Sequence, residues 1–374
     1  MEILVAATDR PGLPAWLECW GTAWAAAVHE GEQAGRPPGL ARPPQEVLAG
    51  LARASADRTT VVLAAVSDGS VLGGASLVLP EHDNTHLAHV LVAVPPQHRG
   101  RGTGTALLRE SVAQVGARGR TVLHAEVFRP LPGAGAAPDA DAAPPGARFA
   151  DRAGLVPALV DVRRDLALPV PAPLLAELGA RSRAAAPGYQ VRTWAGPTPE
   201  RDLPALARLM ARMSTDAPNG DLALEPEVWD AARVADHEGR AGAQEREWLT
   251  AVAVAPDGAW AGYTQLARSR WVPQRLFQWD TLVLSEHRGR RLGLALKVAA
   301  AQEAARRWPD ARSVSTWNAA SNGPMIAVNE ALGFVPAELL EEREGSVAAA
   351  AASLSLDRLS RTASAAPPPP APRG

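Results

Sequence analysis

One arrangement occurs twice in this chain and limits its fold more than any other feature. Residues 89–108 read HVLVAVPPQHRGRGTGTALL, and residues 277–297 read FQWDTLVLSEHRGRRLGLALK. Each is an apolar strand, a polar break, His-Arg-Gly-Arg, and then a run with helical periodicity. The neighbours match as well. In the first half a helix is expected within Pro14–Glu30 and another near Pro44–Ala54. Strands at Thr60–Val66 and Val71–Leu79 flank the Asp68-Gly69 turn, and a strand follows at His86–Val94. After the loop come a helix about Thr103–Ala117 and a strand at Thr121–Phe128. The second half reads in the same order. It has helices at Glu200–Met213 and Glu227–Gly239, strands at Trp248–Val254 and Ala259–Ala267 around Asp257-Gly258, and a strand at Arg275–Leu284. A helix at Leu292–Arg307, a strand at Ser313–Trp317 and a helix at Gly323–Leu332 complete it. A supersecondary unit repeated with its neighbours in order indicates duplication.

The 374 residues suffice for two domains, each with its own core. The expected division is a first domain at 1–172, a linker helix at 173–187 (helical over Pro173–Arg183), a second domain at 188–360, and a Pro-rich tail at 361–374 expected to be disordered. Residues 129–147, almost wholly Pro, Gly, Ala and Asp, interrupt the first domain with a stretch too poor in bulky apolar groups to form core. A net charge of -2 supplies no general basic surface, so no nucleic-acid partner is expected. Cys19 is the single cysteine, which excludes an intramolecular disulfide and a cysteine zinc cluster; its place between Trp16 and Trp20 reads as a buried thiol. No compact His/Asp/Glu cluster suggests a metal. The opening MEILVAATDRPG lacks a basic region and a long apolar core, and no window of about 18 uninterrupted apolar residues occurs. The expectation is a cytoplasmic protein without a membrane partner, monomeric or homodimeric.

The loops carry the chemistry. Gly100, Gly102 and Gly104 allow a tight turn and close backbone approach to a ligand. Amides of such a turn, added to a helix N-terminus, form a donor site for phosphate oxygens, with Arg99 and Arg101 as countercharge. A P-loop would need Gly-Lys-Ser/Thr, yet the only lysine is Lys297; a dinucleotide fingerprint would need a third glycine where Thr105 or Leu107 stands. A ligand-free glycine turn is the remaining plain reading.

The spacing Arg99-x-x-Gly102-x-Gly104 resembles the CoA-pyrophosphate loop of the GNAT (general N-acetyltransferase) superfamily, and Arg288-x-x-Arg291-x-Gly293 aligns with it, with Arg291 where a glycine is usual. Residues 316–334, TWNAASNGPMIAVNEALGF, resemble the family segment in which an asparagine opens a helix ending in Leu-Gly-Phe; the first-half counterpart, ARFADRAGLVP at 147–157, keeps only the helix end. Tandem forms of the family, such as mycothiol synthase and related actinobacterial enzymes, share this two-domain plan. The resemblance implies an α/β fold, two tandem GNAT domains, each a splayed, mostly antiparallel sheet flanked by helices. It also implies acetyl-CoA or another short acyl-CoA as acyl donor and direct transfer to a primary amine of a small molecule.

On this resemblance the acyl-CoA contacts fall on Leu282, Val283 and Leu284 of the strand and on Arg288, Gly289, Arg290, Arg291, Leu292 and Gly293 of the loop. In the first half they fall on Val92 and Val94, on Arg99, Gly100, Arg101 and Gly102, and on Thr103, Gly104 and Thr105. Asn322 matches the asparagine beside the cofactor arm, and it also reads as a helix cap. Asn329 stands where many relatives carry a tyrosine acid, so that tyrosine is missing here. Asp280, in the otherwise apolar strand QWDTLVL, is the candidate base; the alternative is a structural carboxylate paired with a cation such as Arg275. His86 and His89 take the equivalent strand in the first half, where ordinary packing explains them equally. The second half is therefore favoured as catalytic, with Asp280, Asn322 and Asn329 as its candidate catalytic set. Asp216–Glu247 holds nine acids against three arginines, which would suit a cationic amine or would simply be the solvated face of helices. Trp229, Trp248, Trp260, Trp271 and Trp279 would line an aromatic acceptor pocket or serve the core. A catalytically silent acyl-CoA-binding sensor or scaffold is the rival function, and an N-terminal acetyltransferase acting on peptides is a third.

Overall fold

The computed structural model describes residues 1–7, 17, 20–21, 43–53, 55–131 and 144–364. Most of the expected Pro14–Glu30 helix, Cys19, the middle of the 129–147 segment and residues 365–374 lie outside the described residues.

In the first half, β1 (Glu2–Ala7) and α1 (Pro44–Ala52) precede β2 (Arg58–Ser67), β3 (Ser70–Pro80) and β4 (Leu87–Ala93). The β2–β3 hairpin closes through Asp68 and Gly69, both at positive φ, the primed turn geometry that suits strand twist. Next come α2 (Thr103–Gly116), β5 (Val122–Arg129), α3 (Pro145–Arg152) and β6 (Val156–Ala167). α4 (Ala172–Ala185) occupies the expected linker. The second half runs β7 (Gln190–Ala195), α5 (Leu203–Ala211), α6 (Met213–Asp216), α7 (Ala231–Ala243), β8 (Arg246–Val254), β9 (Trp260–Ser269) and β10 (Arg275–Val283). It ends with α8 (Leu292–Arg307), β11 (Ser313–Ala319), α9 (Gly323–Leu332), β12 (Val335–Ser346) and α10 (Val347–Ser364). The helix α7 starts later than its sequence pattern indicated, because Asp230 accepts a hydrogen bond from the Arg233 amide and caps it there. Helix α10 continues through Ser364, into the first residues of the segment read as a tail.

Among the described residues, twelve strands form one sheet in the order β1-β2-β3-β4-β5-β12-β6-β11-β10-β9-β8-β7. Only β4–β5 and β10–β11 pair in parallel; the other neighbours are antiparallel. The final strands are exchanged. β6, from the first half, pairs with β11, while β12, from the second, pairs with β5, and the two meet at the centre. Neither range, 1–172 or 188–360, thus holds a whole half-sheet, and we retain that division as a proposal about ancestry.

Helix α2 covers one face of the first half, with Leu107, Leu108, Val112 and Val115 buried against Leu63, Ala75 and Leu123. Helix α8 does the same in the second, with Leu292, Leu294, Leu296 and Val298 packed on Leu249, Leu266 and Leu276. On the opposite face of the second half, α5 and α7 bury Leu206, Leu209 and Val234 on Val252, Tyr263 and Leu282. Each full burial of such a side chain is worth about 1.5–3 kcal/mol.

The two parallel pairings are short. β4 meets β5 only over Leu87–His89, and β10 meets β11 only over Arg275–Phe277. Beyond these points the strands diverge, which opens a cleft in each half beside the Gly/Arg loop.

Candidate functional site

The two loops have the same backbone. A single 3-10 turn (Pro96–His98 or Ser285–His287) follows the strand, then Arg99 or Arg288 in extended conformation, then a helix entered from the left-handed region. Gly100 and Gly289 have φ 72° and 79°, and Gly102 has φ 85°. Arg291 takes φ 56° where Gly102 stands in the first half, so the substitution at the usual glycine leaves the turn intact at the cost of strain. Neither Gly102 nor Arg291 caps its helix with a side chain. The first-turn amides of α2 and α8 are therefore open to an anion. A Cβ at Gly100 or Gly289 would meet nothing within 4 Å, so the outer side of each turn is accessible.

The loop arginines do something that sequence reading missed. Arg99 Nε donates to the Val94 carbonyl at 2.7 Å, and Arg288 Nε donates to the Val283 carbonyl at 3.0 Å. Each guanidinium clamps its loop back onto its strand. Arg288 also binds Asp216 at 3.0 Å, which offsets part of its charge. Arg101, Arg290 and Arg291 are exposed, and the Arg290 guanidinium donates to the Glu286 carbonyl at 3.0 Å. Thr103 is buried, with its hydroxyl 3.4 Å from the His98 carbonyl, while Thr105 is half-buried on α2. Gly104 and Gly293 lie where the helix passes its strand: the nearest side chains are Phe149 and Val94 in one half, Val283 and Val328 in the other. Val92 lines the first strand; Leu284 donates its amide to Ala261, tying the second strand to β9.

The clefts differ in their strands. β3 and β4 pair without interruption, but β10 is bulged: Gln278 faces Leu266 and Thr281 faces Thr264, so Trp279 and Asp280 together oppose Gln265. An extra residue reverses the alternation of side chains beyond it. Leu276 packs under α8, whereas Leu282, six positions on, packs under α5 and α7 with Tyr263. The bulge turns Asp280 to that second face, where Tyr263 donates to its carboxylate at 2.8 Å. Thr264 pins the bulge by donating to the Asp280 carbonyl at 3.0 Å. Burial raises the Asp280 carboxyl above its ordinary pKa, opposed by the Tyr263 hydrogen bond and reinforced by the charge of Glu227. Arg275, the cation of the alternative reading, holds Ser315 at 2.6 Å and lies 3.5 Å from Asp165. Counting back from the loop arginine, the first half carries Leu91 where the second carries Asp280.

Asn322 caps α9, accepting from the Met325 amide at 3.3 Å, and Gly333 ends that helix at φ 96°. Asn329 is fully buried. Its Oδ1 accepts from Lys297 Nζ at 2.6 Å, and its Nδ2 donates to Asn318 Oδ1 at 2.6 Å. The structure thus makes Asn329 a link between α8 and the open end of β11. Burial lowers the Lys297 pKa from 10.5 to about 7. In the first half, the same turn of α2 carries Leu108.

The first-half histidines are engaged. His86 Nε2 lies 2.7 Å from the Ala223 carbonyl, and His89 stands edge-on to His124, with burial depressing its pKa to about 4. Most of the acidic run is likewise committed. Asp216 binds Arg212, Asp236 binds Arg53, Glu238 binds Thr198, Glu245 binds Arg270 and Glu247 binds Arg268. Of the five tryptophans, Trp229 and Trp279 flank His237 on the Asp280 face, at 5.7 and 6.1 Å between ring centres. Trp248 and Trp260 are core, and Trp271 is exposed beside Arg270.

This geometry has known relatives. The family model described as "Acetyltransferase (GNAT) family" matches residues 24–136 and 215–334, together more than half of the chain. Among curated proteins, mycothiol acetyltransferase of Nocardia farcinica (strain IFM 10152) is 39% identical over 141 residues, a match spanning 38% of this chain and 38% of that relative. Among solved structures, a tandem GNAT protein from the clavulanic acid biosynthesis pathway superposes with a TM-score of 0.71 at 26% identity, covering 92% of this chain and 98% of the other. A GCN5-related N-acetyltransferase from Sphaerobacter thermophilus shares the fold, with a TM-score of 0.59 at 18% identity over 92% and 96% of the two chains.

Proposed function

The chain belongs to the acetyltransferase (GNAT) family, and from that premise we propose that its second half transfers the acetyl group of acetyl-CoA to a primary amine of a small molecule, by direct attack in a ternary complex. The observation that carries this reading is the bulge of β10, which turns the Asp280–Tyr263 pair to the face opposite α8 on the same strand that leads into the uncapped N-terminus of that helix. The first half has the same loop without the bulge or the acid.

The residues fit acetyl-CoA. The turn amides from Gly289 to Gly293 and the exposed Arg290 and Arg291 would hold its diphosphate. The edge of β10 at Leu282–Leu284, where the strand leaves β11, would take its amide-bearing arm, with Asn322 at the mouth of α9. Acetyl-CoA would supply the reactive thioester, whose C–S bond breaks to release CoA as a thiolate that takes up the second proton lost by the attacking amine. Asp280, its carboxyl raised toward working pH by burial, takes the proton from the acceptor ammonium directly or through one water. One amide released from the ladder by the bulge stabilises the oxyanion. Asn329, bonded at both ends, is a positioning residue. The first-half residues Val92, Val94 and Arg99–Thr105 form a second loop of the same geometry, to which we assign no turnover.

Neither the N. farcinica relative, matched over 38% of its length, nor the structural neighbours identify the acceptor. The test is thiol release from acetyl-CoA over a panel of amines, with Asp280→Ala as the decisive variant. A loss of about 10²-fold or more in kcat is expected. Near-wild-type turnover would remove the role given to Asp280 and, with it, the assignment to the second half.

A further inference from the structure

The mouth of the second-half cleft is built by both halves. It lies between the diverging ends of β10 and β11, where the Ala320 amide bonds to Val160 of β6. Across it runs the segment 217–230, which belongs to the second half but is anchored on the first. The Asp221 amide donates to the Ala158 carbonyl of β6 at 2.9 Å, and the Ala223 amide donates at 2.9 Å to Glu344 of β12, the second-half strand that pairs with β5. The Glu225 amide donates to Asn84 Oδ1 at 2.6 Å, and the Val228 amide to Asp83 at 2.9 Å. Asn84 is 5% exposed and sits at φ 55° in the β3–β4 turn, a conformation asparagine tolerates better than most residues.

These bonds place Glu227. Its Oε2 accepts from Trp229 Nε1 at 2.8 Å, its Oε1 faces Asn84 Nδ2 at 3.4 Å, and its amide donates to Ser214 at 3.0 Å. Trp229 in turn packs on the cluster that holds Tyr263 and Leu282, so Glu227 lies on the same face as Asp280. The charge of Glu227 reaches both Asp280 and Tyr263, pushing each upward. The nearest cation, Arg233, is only 4.0 Å from Glu227 and is committed to Asp57 at 2.8 Å, to Asp83, and to the Trp229 ring at 4.4 Å. The Glu227 side chain keeps 31% exposure. It is a carboxylate held by neutral donors, open on one side, with an indole wall beside it.

The sheet nearby also carries acids. Glu126 and Glu342 face each other directly across β5 and β12, and Asp161 is opposite Ala319 at the open end of β11. His124 Nε2 lies 3.6 Å from Glu342, and burial, with the neighbouring acids, raises the Glu342 carboxyl to about 8 and that of Asp161 to about 6.

We propose that Glu227 determines which acceptor the second half takes, selecting an amine that carries a second positive charge, and that Asn84 of the first half is the positioning residue that holds it. The attacking amine stands at Asp280 and the second ammonium at Glu227, against Trp229. This rests on the acetyl-transfer reading and names its acceptor class.

The experiment compares 1,5-diaminopentane with n-pentylamine as acceptors for acetyl-CoA, using the full chain. The diamine is expected to have the higher kcat/KM, by about tenfold, the scale of one charged hydrogen bond. Glu227→Gln is expected to remove most of that ratio, and Asn84→Gly, which keeps the backbone conformation, to reduce it. A wild-type ratio near one, or a ratio unchanged in Glu227→Gln, overturns the proposal. If acetyl-CoA is neither bound nor consumed, the acetyl-transfer reading fails separately. Calorimetric titration with 1,5-diaminopentane then decides: tighter binding to wild type than to Glu227→Gln supports the subsite, and equal or absent binding overturns it.

Discussion

Lys297 offers an unusually clean test of how the second half is built. It is the only lysine of the chain, 2% exposed, with Asn329 as its hydrogen-bond acceptor and the Phe334 ring 5.4 Å away. Burial lowers its pKa from 10.5 to about 7. Between these values the unfolded chain binds a proton that the folded chain rejects, so stability rises with pH across that window and is flat below it. The slope approaches 1.36 kcal/mol per unit; between pH 7 and 9 the gain is about 2 kcal/mol. No other lysine titrates there, and Tyr263 is pushed well above 10 by burial and the neighbouring Asp280 charge; Glu342, raised to about 8 by burial, opposes the rise equally in wild type and variant and cancels in their difference. The assay is chemical denaturation of wild type and Lys297→Met at pH 6, 7, 8 and 9. Lys297→Met also removes the donor to the buried Asn329, which adds a pH-independent cost of about 1–3 kcal/mol, so the diagnostic quantity is the difference in slope. Parallel stability curves for the two proteins would refute the claim that this amine is buried and loses its charge on folding.

Other consequences follow from the same contacts. Tyr263→Phe deletes the hydrogen bond that lowers the Asp280 pKa, so the acid limb of kcat/KM against pH should move to higher pH; an unmoved or lower limb would dissociate Asp280 from that limb. Arg291→Gly relieves a left-handed arginine and should raise stability by about 1 kcal/mol in denaturant titration, while a rise in the KM for acetyl-CoA would report a phosphate contact by its guanidinium. Gly262→Ala places a Cβ against the Leu282 carbonyl, and separating β9 from β10 beside the bulge should cost about 1–3 kcal/mol and reduce turnover. Burial holds His237 near a pKa of about 4, so its contribution to stability should fade as pH drops from about 6.5 toward 4, and His237→Phe should flatten that part of the acid-denaturation curve.

Local signals carried much of this architecture. The helices at Leu292–Arg307 and Gly323–Leu332 begin and end where the sequence pattern puts them, because the turn into the first and the Asn322 and Gly333 caps of the second are local chemistry. Asp280 stood out as an acid in an apolar strand. Its partner did not: Tyr263 reaches it only because a bulge reverses the pleat between Leu276 and Leu282, and a bulge depends on pairing with β9, which no single strand encodes visibly. Nor does the sequence show that Arg99 and Arg288 spend a nitrogen on their own strands, or that Asn329 meets Lys297.

From sequence alone, the repeated strand–loop–helix carried the resemblance to the family and gave the tandem plan and the place of both glycine loops, since these depend on spacing within about twenty residues. Tertiary structure decided the rest. It exchanged β6 and β12 between the halves, faced Asp280 toward Tyr263, and brought Asn84 of one half to Glu227 of the other. The strand exchange and the Asn84–Glu227 contact join residues more than a hundred positions apart, and the Asp280–Tyr263 contact, 17 positions apart, depends on the register of β10 against β9; only the assembled sheet brings each within reach.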